Sequence, residues 1–494
     1  MKLTLSYGTK IRSGCSEMNT MFRQTGECFA SAVRFLLDIC EKEWDSIHGM
    51  APAIAVTYLE PLMHRTKNRR NVKYDFDGAF PNFPSYLRRG AIASAFGKVK
   101  SFHSNLAAWE ENGRSGRAPS FPSVSQEPVS LYYSNMFLFT DEEGNVLPPG
   151  QVSRYARVKV FCSQRQLTQD RKLSPEEKEK ISKGKIDSSK FVWDWMDVTL
   201  KTSDVNYLAK RTKADAHISA PVLTGKGNRY ELRFAVTKKQ DLSDTPVFEQ
   251  KILAVDLGIN TAATCCVMKA DGTILARRFS SFGRDTGCLY HRAALVSRAQ
   301  SYGSVKTPVL WRMTDNANRK LSDETAGFIL SVAAEYKVDV IVFEHLEPNG
   351  KKRGSKKRRL HLWRAKYVQE LVTNRAHALG IRISRVCAWG TSRLAYDGSG
   401  KVERGTNGNY SICRFQTGKI YNCDLSASYN IGARYFIWEV LKTVTATQRS
   451  RLTAKVPESE KRSTCTLSTL IRLYAELAPS GVRCPACAAS AAAA

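Results

Sequence analysis

Three carboxylates stand out for the segments that carry them. Asp256 lies inside the apolar run "KILAVDLGIN" (residues 251–260), Glu344 closes "VIVFE", and Asp424 precedes the helical run "LSASYNIGARYFIWEVL". A carboxylate in a strand built for burial is costly unless something positive meets it. Alone, an acid at a strand end reads as a surface or capping residue. Together these acids make an oxygen-only donor set, with no histidine or thiolate assigned beside them, which suits Mg²⁺, with Mn²⁺ as the second choice. Two such ions about 3.5–4 Å apart activate a water and stabilise the leaving oxygen in an in-line phosphodiester displacement. Gly258, two residues after the first acid, permits tight backbone passage there.

That chemistry requires elements that bring the acids together. "KILAVDLGI", "TAATCCVMK" and "TILARRFS" read as three consecutive strands, the last two joined by the Asp-Gly turn of "KADGT". A helix follows over "LSDETAGFILSVAAEYK", with Ser322 placed to cap it and two acids in its first turn. "VDVIVFE" is then a strand of the kind buried on both faces. Three antiparallel strands, a helix and a buried strand are the order of a ribonuclease-H-like fold. Its central strand, neighbouring strand and returning helix are where three acids would converge.

Upstream, residues 2–8 alternate as a strand. Residues 17–47 are helical, with Phe29, Val33, Leu36, Leu37 and Cys40 on the apolar positions. "PSYLRRGAIASAFGKVKSFHSNLAAWEE" is a second helix, from Pro84 to the Gly113–Gly116 turn signals. Between 119 and 250, "SLYYSNMFLFT", "RYARVKVFC", "KFVWDWMDVTL" and "NRYELRFAVTK" read as strands of a barrel or sandwich. "RKLSPEEKEKISKGK" is a helical or mobile insertion in it, and the tail holds one amphipathic helix near "LSTLIRLYAEL". The fold class is multidomain α+β, without internal repeats.

At 494 residues the chain exceeds one ordinary core. Lys and Arg number 75 against 46 Asp and Glu, a net charge of +29 that favours polyanionic partners, nucleic acid first among them. No apolar stretch approaches the ~20 residues of a membrane span, and "MKLTLSYGTKIRSG" lacks the apolar core of a secretory signal. Thirteen scattered cysteines do not form a disulfide framework. A reducing, cytoplasmic setting is expected, nucleoid-associated when bound to DNA.

"AVDLGI", "VIVFEHL" and "CDLSASYNIGARY", in this order, resemble the three RuvC motifs of transposon-encoded TnpB nucleases and their relatives, the type V CRISPR effectors. "HLWRAKYVQELVTNRAHALGIRI" followed by "GTSRL" is similar to the segment those proteins place between their second and third acids, and "FPSYLRRGAIASAF" and "GRAPSFPS" look like their N-terminal half. The resemblance implies an Mg-dependent RNA-guided DNA endonuclease with Asp256, Glu344 and Asp424 as catalytic metal ligands. Its partners would be a guide RNA and target double-stranded DNA, held as an RNA–DNA hybrid and a displaced single strand beside a short flanking motif. It further implies a β-barrel (wedge) unit whose first strand is 1–12, a helical recognition domain 13–118 and a β-barrel-like wedge domain 119–250. RuvC nuclease parts then occupy 251–385 and 424–445, around a target-strand loading insert at 386–423, with a tail at 446–494. Asn430 matches a recurrent family Asn, but six residues along a helix from Asp424 it points elsewhere, and a structural role is expected.

One departure from the family concerns metal. Its members commonly carry two C-x-x-C zinc pairs in that insert. Here the interval holds only Cys387, Cys413 and Cys423, and Ala395 stands where "TSRL" should lead into the first pair. A degenerate, metal-free version without structural zinc is expected, and the lone "CPAC" at 484–487 does not change that.

For nucleic-acid contact the leading candidate is "KKRGSKKRR", with Lys351, Lys352, Arg353, Lys356, Lys357, Arg358 and Arg359 just after the Glu344 strand. "HRTKNRR" at 64–70 and the pair Arg88 and Arg89 are weaker candidates. Tyr132, Tyr133, Trp193 and Trp195 have rings able to stack bases, though in strand-rich sequence such rings are commonly core. The rival readings are an unguided, structure-selective RuvC-type nuclease and an RNA-guided DNA-binding protein that has lost cleavage.

Overall fold

The computed structural model describes residues 1–12, 16–81, 83–148, 150–162, 192–212, 216–227, 229–259, 261–346, 362–405 and 411–477. They form two compact units, residues 2–239 and a unit beginning at residue 240.

The first unit wraps one mixed core in a curled sheet. Its strands are β1 (Lys2–Arg12), β2 (Val129–Ser130), β3 (Phe137–Thr140), β4 (Tyr155–Cys162), β5 (Val192–Leu200), β6 (His217–Ile218), β7 (Val222–Lys226) and β8 (Arg229–Lys239), in the order β2-β7-β8-β1-β5-β4-β3 with β6 also on β8. β1 runs antiparallel to β8 from Lys2↔Lys239 to Lys10↔Glu231, then passes to β5 at Ile11↔Leu200, so one strand joins the two halves of the sheet. The expected single run "SLYYSNMFLFT" is broken into β2 and β3 by a turn in which Ser134 adopts φ 64°.

Helices α1 (Ser16–Lys42), α2 (Pro52–Met63) and α3 (Ser85–Glu111) pack with this sheet, α1 directly against α3. The apolar positions read from the sequence, Phe29, Val33, Leu36, Leu37 and Cys40, are all buried in one cluster with strand residues such as Val129, Phe137 and Phe234. The expected helical and β regions therefore share a core. Trp193 packs on Phe83 and Phe161, and Tyr133 on Phe137. Helix α4 (Thr202–Thr212), not read from the sequence, follows β5.

The second unit is a five-stranded sheet between helices. β9 (Lys251–Asp256), β10 (Thr264–Lys269), β11 (Ile274–Phe279), β12 (Val340–His345) and β13 (Arg382–Cys387) lie in the order β11-β10-β9-β12-β13. The first three are antiparallel neighbours, while β12 runs parallel to β9 and β13 parallel to β12. Alternate residues of each strand feed opposite cores, the period-two geometry of a strand. Ile252, Ala254, Val340 and Val342 pack with α8 (Cys423–Thr443) and α10 (Leu467–Leu477), through Tyr429, Phe436 and Leu470. Leu253, Val255, Ile341 and Phe343 pack with α6 (Pro308–Glu335) and α7 (Ala365–Ala378), through Ile329, Ala333 and Val372. Burial on both faces explains why "VIVF" carries no polar alternation.

Glycine brings α8 close to that sheet. A Cβ on Gly432 would lie 3.1 Å from the Met268 side chain and 3.3 Å from Ala254 Cβ.

Two helical readings change. α5 (Gly283–Ser301) is an additional helix, and α6 starts at Pro308, well before the expected cap. Ser322 is thus inside α6 and buried, its hydroxyl donating to the Asn318 carbonyl at 2.8 Å, the back-bonding open to a mid-helix serine. The preceding polar stretch is stable as helix because Asp315–Arg319 and Lys320–Glu324 pair one turn apart. Toward the C-terminus, α9 (Ala446–Lys455) opens on a Thr445/Gln448 capping box, and Leu452, Leu467, Leu470 and Leu473 join the core.

Within the interval 386–423 the described residues include a three-stranded antiparallel sheet, β14 (Glu403–Arg404), β15 (Ile412–Arg414) and β16 (Ile420–Asn422). Its core is Ala395, Cys413, Phe415 and Cys423, with Tyr396, Val402 and Tyr421 against it. Tyr396 packs edge-on against Phe415, Tyr421 and Tyr429.

Candidate functional site

The three acids sit where buried elements open to the surface. β9 and β12 are buried up to Val255 and Phe343, which pair directly, and become partly exposed at Asp256 and Glu344. Asp424 enters from the first turn of α8, whose Asn422 cap accepts from the Leu425 N–H at 2.9 Å. A carboxylate there is favoured by the helix dipole. Past Asp256 the backbone turns tightly, since a Cβ on Gly258 would stand 2.6 Å from the Thr261 carbonyl oxygen.

The electrostatics link Asp256 to the other two acids. Burial raises the Asp256 carboxyl well above the ordinary carboxylate range, and the charges of Glu344 and Asp424 raise it further. Burial also raises Glu344, against the Thr391 hydroxyl and the Arg434 charge, and raises Asp424, against Arg404. Arg404 opposes the shift on Asp256 as well. It reaches over from β14 while Nη2 donates to the Ser392 carbonyl at 2.7 Å. The sequence offered no signal for this residue, an arginine in a short strand of a loop-rich insert.

Glu344 is the most tightly held acid. Its carboxylate accepts from the Thr391 hydroxyl, and its backbone carbonyl accepts from Gln369 Nε2 at 2.9 Å. Thr391 is itself fixed by Asn430. Asn430 Nδ2 donates to the Thr391 and Leu394 carbonyls, both at 2.9 Å, and its Oδ1 accepts from the Leu467 N–H. Asn430 is fully buried, and its amide hydrogen bonds go to backbone groups, a structural role. Arg434 braces the same region by donating to the carbonyls of Cys387, Trp389, Ser463 and Cys465.

A divalent cation fits this place by charge and donor chemistry. Three oxygen-donor carboxylates are raised by burial, Asp256 also by the charges of the other two, and the cations that oppose these shifts are arginines, Arg404 and Arg434. No three His, Cys, Asp or Glu side chains among the described residues are gathered closely enough to hold an ion as they stand.

The nucleic-acid candidates divide. Lys351, Lys352, Arg353, Lys356, Lys357, Arg358 and Arg359 lie outside the described residues, as does the "CPAC" segment. The 64–70 and 88–89 candidates line one hollow of the first unit, which includes His64, Arg69, Arg88 and Arg89. Arg88 is corrected as a phosphate contact. It is only 3% exposed and is consumed by Glu60 at 3.0 Å and Asp77 at 3.7 Å. Arg89, 52% exposed at its side chain, shares Glu60 at 2.8 Å and faces solvent.

A Cas12f1–sgRNA–target DNA complex matches with a TM-score of 0.50 at 14% identity, over 83% of this chain and 82% of that one. The mini RNA-guided endonuclease Cas_phi3 matches with a TM-score of 0.50 at 11% identity, over 87% and 92%. The chain shares the fold of these two structures. At these identities the likeness fixes architecture alone. Residues 5–148 match the Aq_aa04 family, and no curated protein matches the sequence. The sequence reading of a multidomain α+β chain agrees with this likeness at the level of a mixed, multidomain architecture.

Proposed function

We propose that this chain is an RNA-guided DNA endonuclease that hydrolyses phosphodiester bonds at a single RuvC-type site formed by Asp256, Glu344 and Asp424. The observation that carries the reading is the position of three buried carboxylates at the ends of β9 and β12 and the start of α8, with Glu344 and Asp424 both acting on Asp256. The sheet order β11-β10-β9-β12-β13 supports it as the arrangement of a ribonuclease-H-like core. The three acids would hold Mg²⁺, or Mn²⁺, which when bound supplies an activated water and charge stabilisation for the leaving oxygen. The chain's own residues set this up. Thr391 and Gln369 orient Glu344, the Asn422 cap orients Asp424, and Arg404 offers a cation to a substrate phosphate beside the acids.

Guide RNA and target DNA are the proposed partners, as they are for the Cas12f1 complex. The +29 charge supports them, because a hybrid and a displaced strand both need neutralising. The 351–359 run and Arg89 are the proposed backbone contacts. The insert is proposed to fold on its aromatic core rather than on zinc.

Protein purified from its host should carry a discrete RNA, identified by sequencing; random fragments alone would refute guiding. With that RNA bound, Asp256→Ala should abolish Mg²⁺-dependent cleavage of matched DNA while RNA affinity changes less than about 3-fold. Retained cleavage would remove Asp256 from the site.

A further inference from the structure

The hairpin of α5 and α6 ends in a surface that the site does not use. Buried positions of α5 end at Val296, and those of α6 begin at Thr314. Between them Tyr302 is 81% exposed, Val305 89% and Trp311 50%, with Val309 and Met313 also exposed. A run of large apolar side chains this open, inside a unit with a closed core, marks a contact surface.

Its charge identifies the occupant. From Thr286 to Thr314 the sequence contains no Asp or Glu, while it contains Arg292, Arg298, Lys306 and Arg312. Arg292 Nη1 is spent on the Met313 carbonyl at 3.0 Å, bracing α6 against α5. Arg298, Lys306 and Arg312 make no ion pair with any described residue, and the hairpin's acids lie lower down, where Asp285 pairs with Lys320 and Asp315 with Arg319. Covering three unpaired cations with an apolar protein face would cost their desolvation. Exposed rings among free cations suit a partner with π-faces and phosphates, the composition of a single-strand binding surface.

We infer that residues 302–313 form a stacking platform for single-stranded nucleic acid, with Tyr302 and Trp311 receiving bases and Arg298, Lys306 and Arg312 following the backbone. This rests on the nucleic-acid reading above and adds a second contact surface to it.

The test uses full-length protein stripped of nucleic acid at high salt, with fluorescence anisotropy of labelled oligo-dT, oligo-rU and a blunt duplex in metal-free buffer. The double variant Tyr302→Ala/Trp311→Ala should weaken both single strands by about 10-fold or more and the duplex far less. Trp311→Phe should restore most of the Trp311 contribution. Arg298→Gln/Lys306→Gln/Arg312→Gln should flatten the salt dependence by roughly 2 in log–log slope. A loss on only one oligonucleotide would support the platform and assign it to DNA or RNA. Unchanged single-strand affinity in the aromatic variant overturns the inference. So does a variant that loses only self-association by sedimentation, which would assign the tip to a second copy of the chain. Failure here is distinct from failure of the nuclease reading, because the platform is read by strand binding without metal and the nuclease reading by metal-dependent cleavage in Asp256→Ala.

Discussion

Cys423 and Asp424 are adjacent, yet they belong to opposite kinds of cluster. Cys423 is buried with Ala395, Cys413 and Phe415 in the core of the small sheet, where burial raises its thiol and aromatic rings close around it. Asp424 instead carries a charge that acts on Asp256 and is opposed by Arg404. One cluster keeps no ligand set and is stable by packing. The other keeps its charges and is unstable without a counter-charge. Buried carboxylates held above their ordinary range are a marker of functional sites, so under the proposed function the contrast separates scaffold from site at one peptide bond.

The sharpest way to break that contrast is to substitute the neighbours separately. Asp424→Ala should lower metal-dependent cleavage by more than about 10³-fold, the loss of several kcal/mol of transition-state charge stabilisation. Cys423→Ala should leave cleavage within about 10-fold while lowering the melting temperature, since it removes packing only. Equal losses from both would mean that the two clusters act as one.

Arg404 sharpens the boundary from the insert's side. It is carried by the apolar-cored sheet but faces the acids. Arg404→Ala should reduce cleavage by about 10²-fold with little change in melting temperature, and Arg404→Lys should recover part of it. Loss of stability without loss of rate would return Arg404 to the scaffold.

The sequence made the buried elements legible and the surface ones less so. β9, β12 and α8 announce themselves because an acid at the end of an apolar run is a local pattern. The helix from Pro84 reads equally well, since Pro84 sits at its N-cap and Asn112 ends it ahead of Gly113 at φ 66°. α6 was misjudged at its start because the polar stretch from Asp315 to Lys320 masks the helix, which is held there by ion pairs one turn apart and by the Asn318 bond to the Leu362 carbonyl at 2.9 Å. Arg88 misled for a related reason. Two consecutive arginines look like surface, but the helical turn points the first at Glu60 and Asp77, residues distant in sequence. Arg404 and Thr391 were invisible as site residues, because nothing in a loop's composition states which β-strand end it will cover.

The smallest expected effect concerns stability, and its sign distinguishes the clusters. In the metal-free fold Asp256 is raised above the ordinary carboxylate range, by burial first and by the other two acids second. The folded chain therefore holds a proton that the unfolded chain has released. Between the ordinary carboxylate value and the raised one, stability falls as pH rises. Asp256→Asn removes that charge at nearly constant shape, so the metal-free variant should melt above the parent at pH 8, by roughly 2–4 °C for each kcal/mol of repulsion relieved. The two should converge toward pH 4, where the parent's carboxyl is also neutral. Mg²⁺ should raise the parent's melting temperature and leave the variant's nearly unchanged, because only the parent gains binding energy in the folded state. No comparable gain is available at Cys413 or Cys423, whose neutral thiols already sit in apolar surroundings and whose loss would only open a void. A variant that melts lower than the parent at pH 8 without metal would show that Asp256 is satisfied within the fold, and would remove the reason for seeking its partner outside the chain.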